Sequence, residues 1–362
     1  MAVLARAIED DADRQPAAGG AFALRPLPGA VFGGEVVLRG GGDTRAFVAA
    51  AEAEPDALSR ALDRARGLLL LRGMDAISAA PELLVRLSRL FGPEVEDYRR
   101  TLTKQTSVHQ QVPEIFIVSN MPPASRPPPP LPDPPLTADG RLPVQFPQRR
   151  GWHTDQSYRR PPPDISLFYA VIPAPKGQGQ TMFASGVDAY AALPDAMKAR
   201  LEGLEGLHVM PRSGRSEEAV RRGETPMPLR AHERPQRQPV VRVHPVTGTR
   251  ALYLCESGQM DWVEGPLVGM QPGPDGDGAA LLYELMTHLT RPEFVYVHEW
   301  DAGDIVVWDN RSLAHTATWF DADVHPRLMW RTTVRGNPGK EYDGERRSWI
   351  PEPDGEGPAA TR

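Results

Sequence analysis

Proline constrains this chain more than any other residue. The 362 residues include 39 prolines, about twice the usual share of ~5%, and nine of them fall within the fourteen residues Pro122–Pro135. Each proline fixes φ and removes an N–H donor, so this stretch is neither helix nor central strand. It reads as a stiff, exposed insertion over about residues 121–147 within one domain. A docking segment for an aromatic groove is the alternative.

Outside that stretch the composition is that of a globular protein, 40% hydrophobic and 24% charged, which excludes wholesale disorder. Acids outnumber bases 47 to 41 and the bases are scattered, so no nucleic-acid surface is expected. No run approaches the ~20 apolar residues of a membrane span, and the acidic first twenty residues are unlike a signal peptide. The single cysteine, Cys255, fits a reducing compartment, which makes the cytoplasm the default.

Residues 1–20 read as a loose N-terminal arm and 346–362 as a flexible tail. Between them, short strand-like runs alternate with glycine-bearing turns: Ala21–Leu38, Ile115–Val118, Ile165–Ala170, Thr181–Ala184, a hairpin of Val240–Val243 with Arg250–Leu254, a pair of Phe294–His298 with Asp304–Trp308, and Leu328–Val334. Helical spacing marks the segment capped by Ser78 and running through Leu83, Leu87 and Phe91, one broken or two short helices over Asp188–Glu202, and Gly278–Leu289. The fold class is mainly β with flanking helices, a closed or sandwich-like structure over residues 21–345.

The sharpest local string is Trp152-His153-Thr154-Asp155-Gln156-Ser157. On a strand, His153 and Asp155 project to the same face and offer a nitrogen and a carboxylate oxygen to one ion. Alone the string is weak, because about one His-x-acid triplet is expected by chance. Far downstream lie Gly303-Asp304-Ile305-Val306-Val307-Trp308-Asp309-Asn310-Arg311, then His315, then Arg327-Leu328-Met329-Trp330-Arg331. A closed β structure brings His315 to His153 and Asp155, completing two histidines and one carboxylate, the set that leaves positions open on ferrous iron. Arg327 and Arg331 share one strand face, and buried guanidiniums next to a metal imply two anionic groups.

These residues resemble the taurine and 2,4-dichlorophenoxyacetate dioxygenase (TauD/TfdA) family of iron(II)- and 2-oxoglutarate-dependent oxygenases. The matching pieces, in order, are Trp-His-Thr-Asp at 152–155, Gly-x-Gly-x-Thr at 177–181, His-Pro-x-Thr-Gly at 244–248, Gly-Asp-x-x-x-Trp-Asp-Asn-Arg at 303–311, His315, and Arg-x-Met-x-Arg at 327–331. The resemblance implies a double-stranded β-helix, the cupin-like jelly roll. It further implies that His153, Asp155 and His315 hold iron(II), that Thr181 and Arg327 hold the 2-oxoglutarate carboxylates, and that Arg331 takes the anionic group of the prime substrate.

The implied reaction is hydroxylation of a small anionic organic substrate (a sulfonate, an aryloxyalkanoate or a carboxylated metabolite) by O2, with succinate and carbon dioxide as co-products. Asp155 supports hydroxylation, since related halogenases carry alanine or glycine there. The chain departs from the family at Gln180, where an acid is usual, at the proline insertion, and in one extra residue between His315 and Arg327. Gln156, Tyr158 and Asn120 are further substrate-binding candidates, and the arginine-rich stretch 211–240 is either a basic lid or a solvated loop. The other seven histidines are read as non-ligands, and Cys255 as a core or pocket-wall residue. By analogy the assembly is a homodimer or homotetramer. The alternatives are a zinc-dependent hydrolase or isomerase with the same ligands, and a non-catalytic binding protein.

Overall fold

The computed structural model describes residues 22–38, 43–101, 103–131, 151–230, 233–256 and 258–335. The arm 1–20, the tail 346–362 and the part 132–147 of the expected insertion lie outside the described residues.

The strands are β1 (Phe22–Pro26), β2 (Gly34–Leu38), β3 (Leu68–Leu71), β4 (Glu94–Val95), β5 (Phe116–Ser119), β6 (Ile165–Ile172), β7 (Thr181–Ser185), β8 (Glu205–His208), β9 (Gln236–Pro239), β10 (Val241–Val243), β11 (Arg250–Leu252), β12 (Val295–His298), β13 (Ile305–Asp309), β14 (Leu313–Ala317) and β15 (Leu328–Arg335). The larger sheet runs β1-β2-β3-β13-β6-β15-β4, with β5 also on β15, and only β2 and β3 are parallel in it. The smaller sheet runs β12-β7-β14, antiparallel throughout. This is the expected jelly roll with helices outside it.

Period-two alternation decides which residues meet. In β3, Leu69 and Leu71 pack with Leu167, Val307 and Trp330 under the helices Thr44–Ala53, Ala57–Arg64 and Glu82–Arg89. Leu68 and Leu70 face the other way, and with Phe168, Trp308, Met329, Phe183 and Leu313 they fill the space between the two sheets. The outer face of the small sheet, Met182, Ala184 and Ala314, packs with the helix Asp277–Leu289. By the same alternation Thr181, His315 and Arg331 fall on the inner side, in step with Phe183, Leu313 and Met329. No helix among the described residues is long and apolar enough to cross a membrane.

Two local expectations are corrected. Ser78 does not cap the helix that carries Leu83 and Leu87: it closes a 3₁₀ turn, Asp75–Ser78, and donates to Asp75 O at 2.8 Å, while the helix starts at Glu82 behind Pro81. β12 and β13 do not pair with each other, because β12 joins β7 and β13 joins β3 and β6. The turn Asp301-Ala302-Gly303 carries the chain between the sheets, held where Gly303 N–H donates to Ala170 O at 2.9 Å.

Candidate metal centre and cavity

His153, Asp155 and His315 converge, with one potential ligand atom of each within 4.8 Å of the others. The imidazole Nε2 of each histidine stands 4.0 Å from Asp155 Oδ1. His153 and His315 form a one-residue antiparallel bridge, which brings the downstream histidine to the upstream string. The strand argument holds only for His153: Asp155 already lies in the turn that follows, so its aim is set by side-chain bonds and not by pleat.

Those bonds run through Asn310. Its Oδ1 accepts from Asp155 N–H at 3.1 Å and from Trp308 Nε1 at 2.9 Å, and its Nδ2 donates to Ser166 Oγ at 3.0 Å. Ser166 in turn donates to Asp155 Oδ2 at 2.7 Å, leaving Oδ1 to the histidine side. Thr154 Oγ1 donates to Asn310 O at 2.8 Å. His153 Nδ1–H donates to Gly151 O at 2.7 Å, which leaves Nε2 with a free lone pair. Gly151 has φ 89, and a Cβ there would meet Thr316 Oγ1 at 2.6 Å, so the sequence needs glycine before the tryptophan.

Electrostatics keep the three side chains in metal-binding form. Burial pushes His315 down to about 3, helped by the adjacent His153, and burial also lowers His153. Both imidazoles are therefore neutral donors. Burial alone would raise Asp155, yet the Arg331 guanidinium and the two imidazoles hold its carboxyl at about 2.

A cavity of about 310 Å³ opens beside the triad, at the small end of the range for ligand sites. Thr181, His153, His315, Arg327 and Arg331 all line it, as does Asn120. Thr181 Oγ1 accepts from Trp300 Nε1 at 3.0 Å, so its position is fixed despite the shifted turn glycines. Gln180, in the place of the usual acid, bonds Glu299, and its N–H donates to Thr318 Oγ1 at 2.9 Å.

The two arginines differ. Arg331 Nη1 contacts Asp155 Oδ1 at 2.5 Å and its guanidinium lies 5.0 Å from the Phe116 ring. Arg327 is buried between Phe168 and Phe320, and its Nε and Nη2 have no hydrogen-bond partner among the described residues. Burial, with the nearby Arg126 charge, lowers it to about 10. An unpartnered guanidinium at a cavity wall is costly unless an anion meets it, so this residue fits a site for an acidic ligand.

Three expected substrate contacts change character. Gln156 and Tyr158 do not line the cavity. Gln156 has φ 49 and turns its Oε1 to Arg335 Nη2 at 3.2 Å, beside the buried Glu96–Arg159 pair. Tyr158 is half-buried, close enough to Arg159 and Arg331 for their charges to oppose the rise that burial imposes on its pKa. Asn120 reaches the cavity wall, but its polar atoms are used: Nδ2 donates to Ala322 O at 2.9 Å and His325 O at 3.0 Å, and Oδ1 accepts from Arg327 N–H at 2.8 Å. Cys255 is core, under the site and not on the cavity wall, with Thr154 N–H donating to its Sγ at 3.4 Å.

Sequence reasoning missed Arg126, Pro127–Pro129 and Arg212, all of which line the cavity. The proline stretch is thus not wholly a surface insertion. Its first half, anchored where Arg126 N–H donates to Ser119 O at 2.7 Å, forms cavity wall. The signal was present as the arginine that interrupts the prolines, and in the surplus of arginines over 211–240.

The profile of the family described as "Taurine catabolism dioxygenase TauD, TfdA family" matches residues 23–333. The alpha-ketoglutarate-dependent 2,4-dichlorophenoxyacetate dioxygenase of Cupriavidus pinatubonensis is 35% identical over 189 residues, which are 51% of this chain and 59% of that protein. The alpha-ketoglutarate-dependent sulfate ester dioxygenase of Pseudomonas putida is 31% identical over 219 residues, 58% of this chain and 66% of that protein. The chain thus spans less than two thirds of either relative's length. Among solved structures, a taurine dioxygenase from Burkholderia xenovorans superposes with a TM-score of 0.60 at 25% identity, covering 92% of this chain and 97% of that one. AAD-2 in complex with Mn(II) and N-oxalylglycine superposes with a TM-score of 0.61 at 28% identity, covering 88% and 98%. With its profile matched from 23 to 333 and its motif residues gathered around one cavity, the chain belongs to the TauD/TfdA dioxygenase family.

Proposed function

We propose that this chain is an iron(II)- and 2-oxoglutarate-dependent dioxygenase that hydroxylates a small anionic organic substrate, with residues 21–345 as its catalytic unit. The observation that carries the reading is the facing of two features across one cavity: the His153, Asp155 and His315 donor set, and the buried, unpartnered guanidinium of Arg327. Two neutral imidazoles and one carboxylate suit iron(II) and leave positions open for other ligands. Bound there with 2-oxoglutarate and O2, iron supplies the oxidising power, and the co-substrate leaves as succinate and carbon dioxide.

The residues of the chain do the rest. His153 and His315 present Nε2 and Asp155 presents Oδ1. Arg327, clamped between Phe168 and Phe320, would take the distal carboxylate of 2-oxoglutarate, and the Thr181 hydroxyl would add a hydrogen bond. Arg331 turns from Asp155 toward the anionic group of the substrate and orients its reactive carbon. Phe168, Trp308 and Phe320 keep the reacting zone dry. The relatives named for aryloxy acids and sulfate esters agree with a small anion as substrate. A single buried cysteine agrees with a cytoplasmic setting.

A zinc hydrolase on the same ligands gives Arg327 no anion to hold. The deciding experiment is anaerobic addition of iron(II) and 2-oxoglutarate, followed by exposure to air with a panel of sulfonates, sulfate esters and aryloxy acids. A visible charge-transfer band and substrate-dependent succinate release are expected. A chain that binds zinc, shows no such band and releases no succinate is not an oxygenase.

A further inference from the structure

Among the described residues, the cavity wall carries four arginines, Arg126, Arg212, Arg327 and Arg331, and no aspartate or glutamate. This is unexpected in a chain whose acids outnumber its bases 47 to 41. Under the proposed function, on which the inference rests, iron takes Asp155 and 2-oxoglutarate takes Arg327. Three guanidiniums then remain for the prime substrate. A sulfonate, sulfate monoester or simple carboxylate brings a single negative charge.

The two arginines outside the matched motifs are carried on anchored backbone. Arg126 follows Ser125, which has φ 45, and its N–H bonds Ser119 O at the end of β5, the strand that pairs with β15 on the Arg331 side. Prolines 127–129 continue directly from it and stiffen the segment. Arg212 itself has φ 68, beside Ser213, whose Oγ donates to Met210 O at 2.9 Å. Left-handed backbone at non-glycine residues is costly and clusters at ligand sites. Neither guanidinium makes a hydrogen bond or ion pair with another described residue. Both residues are exposed at the mouth; partial desolvation of the Arg126 guanidinium by the chain around it, with the like charges of Arg331 and Arg212, lowers its pKa from the usual arginine value. A wall of one sign concentrates field lines on whatever anion enters.

We infer that Arg126 and Arg212 join Arg331 in a second anion subsite at the cavity mouth, and that this subsite selects a prime substrate carrying two negative charges. The second charge sits either on the same head group, as in a phosphonate or phosphate monoester, or on a second acid a few bonds away.

Three probes of matched size separate these cases: benzenesulfonate, with one charge; phenylphosphonate at a pH where both its protons are lost; and 4-sulfobenzoate, with two acids. Each is titrated calorimetrically, without O2, into the whole chain loaded with iron(II) and 2-oxoglutarate, and into Arg126→Gln and Arg212→Gln. At least one dianion is expected to bind about tenfold or more tightly than benzenesulfonate, and each substitution should cut that preference severalfold, most at low salt. Tighter phenylphosphonate identifies a doubly charged head, and tighter 4-sulfobenzoate identifies two heads. Equal affinities for all three probes, or a preference that survives both substitutions, overturns the subsite. The heat of 2-oxoglutarate binding, recorded first, tells the failures apart: its absence removes the oxygenase reading and the subsite with it, whereas its presence without a dianion preference removes the subsite alone.

Discussion

His153 and His315 exchange both of their main-chain hydrogen bonds, at 2.9 and 2.7 Å, although nearly half the chain lies between them. Their proximity therefore rests on backbone pairing and survives the loss of any one ligand side chain. Asp155→Ala should leave the far-ultraviolet circular dichroism intact. It should also lower Mn(II) affinity by more than the roughly 10- to 100-fold that losing an outer partner costs, and abolish substrate oxidation. Full activity in this variant would sink the metal assignment.

Under the proposed function, Arg331 and iron would compete for one oxygen, Asp155 Oδ1. With Arg331 Nη1 at 2.5 Å from Asp155 Oδ1, Arg331→Met strands a buried carboxylate, and the metal-free chain should lose about 3–5 kcal/mol. A divalent ion replaces the missing charge, so the rise in Tm on adding Mn(II) should be larger in Arg331→Met than in the unsubstituted chain. Equal rises would show that the two cations do not share the carboxylate.

Arg327 predicts the opposite sign for stability. Its Nε and Nη2 are buried without partners among the described residues, so Arg327→Gln removes a desolvated charge and should stabilise the ligand-free chain by about 1–3 kcal/mol. The same change should weaken 2-oxoglutarate binding by roughly 10- to 100-fold. A loss of stability together with normal 2-oxoglutarate affinity would refute the assigned role.

Asn120 touches Arg327 through its side-chain amide, and a positioning role follows as a prediction. Because its amide ties Ala322, His325 and the Arg327 N–H together, Asn120→Ala should raise the KM for 2-oxoglutarate more than that for the prime substrate. The reverse split would make it a direct substrate contact.

His208 is buried, bonded through Nδ1 to Ser157 Oγ at 2.8 Å, and burial lowers it from 6.5 to about 3. Between those values the unfolded chain binds a proton that the folded chain does not, so stability falls as the pH drops. The contribution approaches about 1.4 kcal/mol per pH unit through that window. Thermal unfolding of His208→Gln should show a shallower acid limb than the unsubstituted chain. Parallel limbs would mean that His208 is not kept neutral.

The convergence of His153, Asp155 and His315 was legible because their strings are contiguous, and the inward parity of β15 follows from counting by two, as Met329 and Arg331 show, with Arg327 just ahead of the strand in the same step. The path of the chain between sheets was not legible. Asp301-Ala302-Gly303 reads as a hairpin turn, and nothing local says that β12 and β13 part company there. The placement of Asp155 beside the histidines was expected for a partly wrong reason, since a turn and the Asn310 amide, not strand pleat, aim it. Gln156 sits beside a ligand in sequence, yet its left-handed backbone swings it to Glu96 and Arg335. Arg126 was hidden because prolines predict stiffness without direction, and only the Ser119 anchor turns the segment inward.

The Ser166, Asn310 and Trp308 lattice behind Asp155 belongs to paired strands and their immediate ends, whereas Arg126 and Arg212 are borne on connecting segments. On the proposed function, the oxidising end and the choosing end of the cavity would consequently answer to different stretches of polypeptide. Exchanging residues 121–131 and 211–215 would then redirect which molecules are oxidised without retuning the ion proposed to oxidise them.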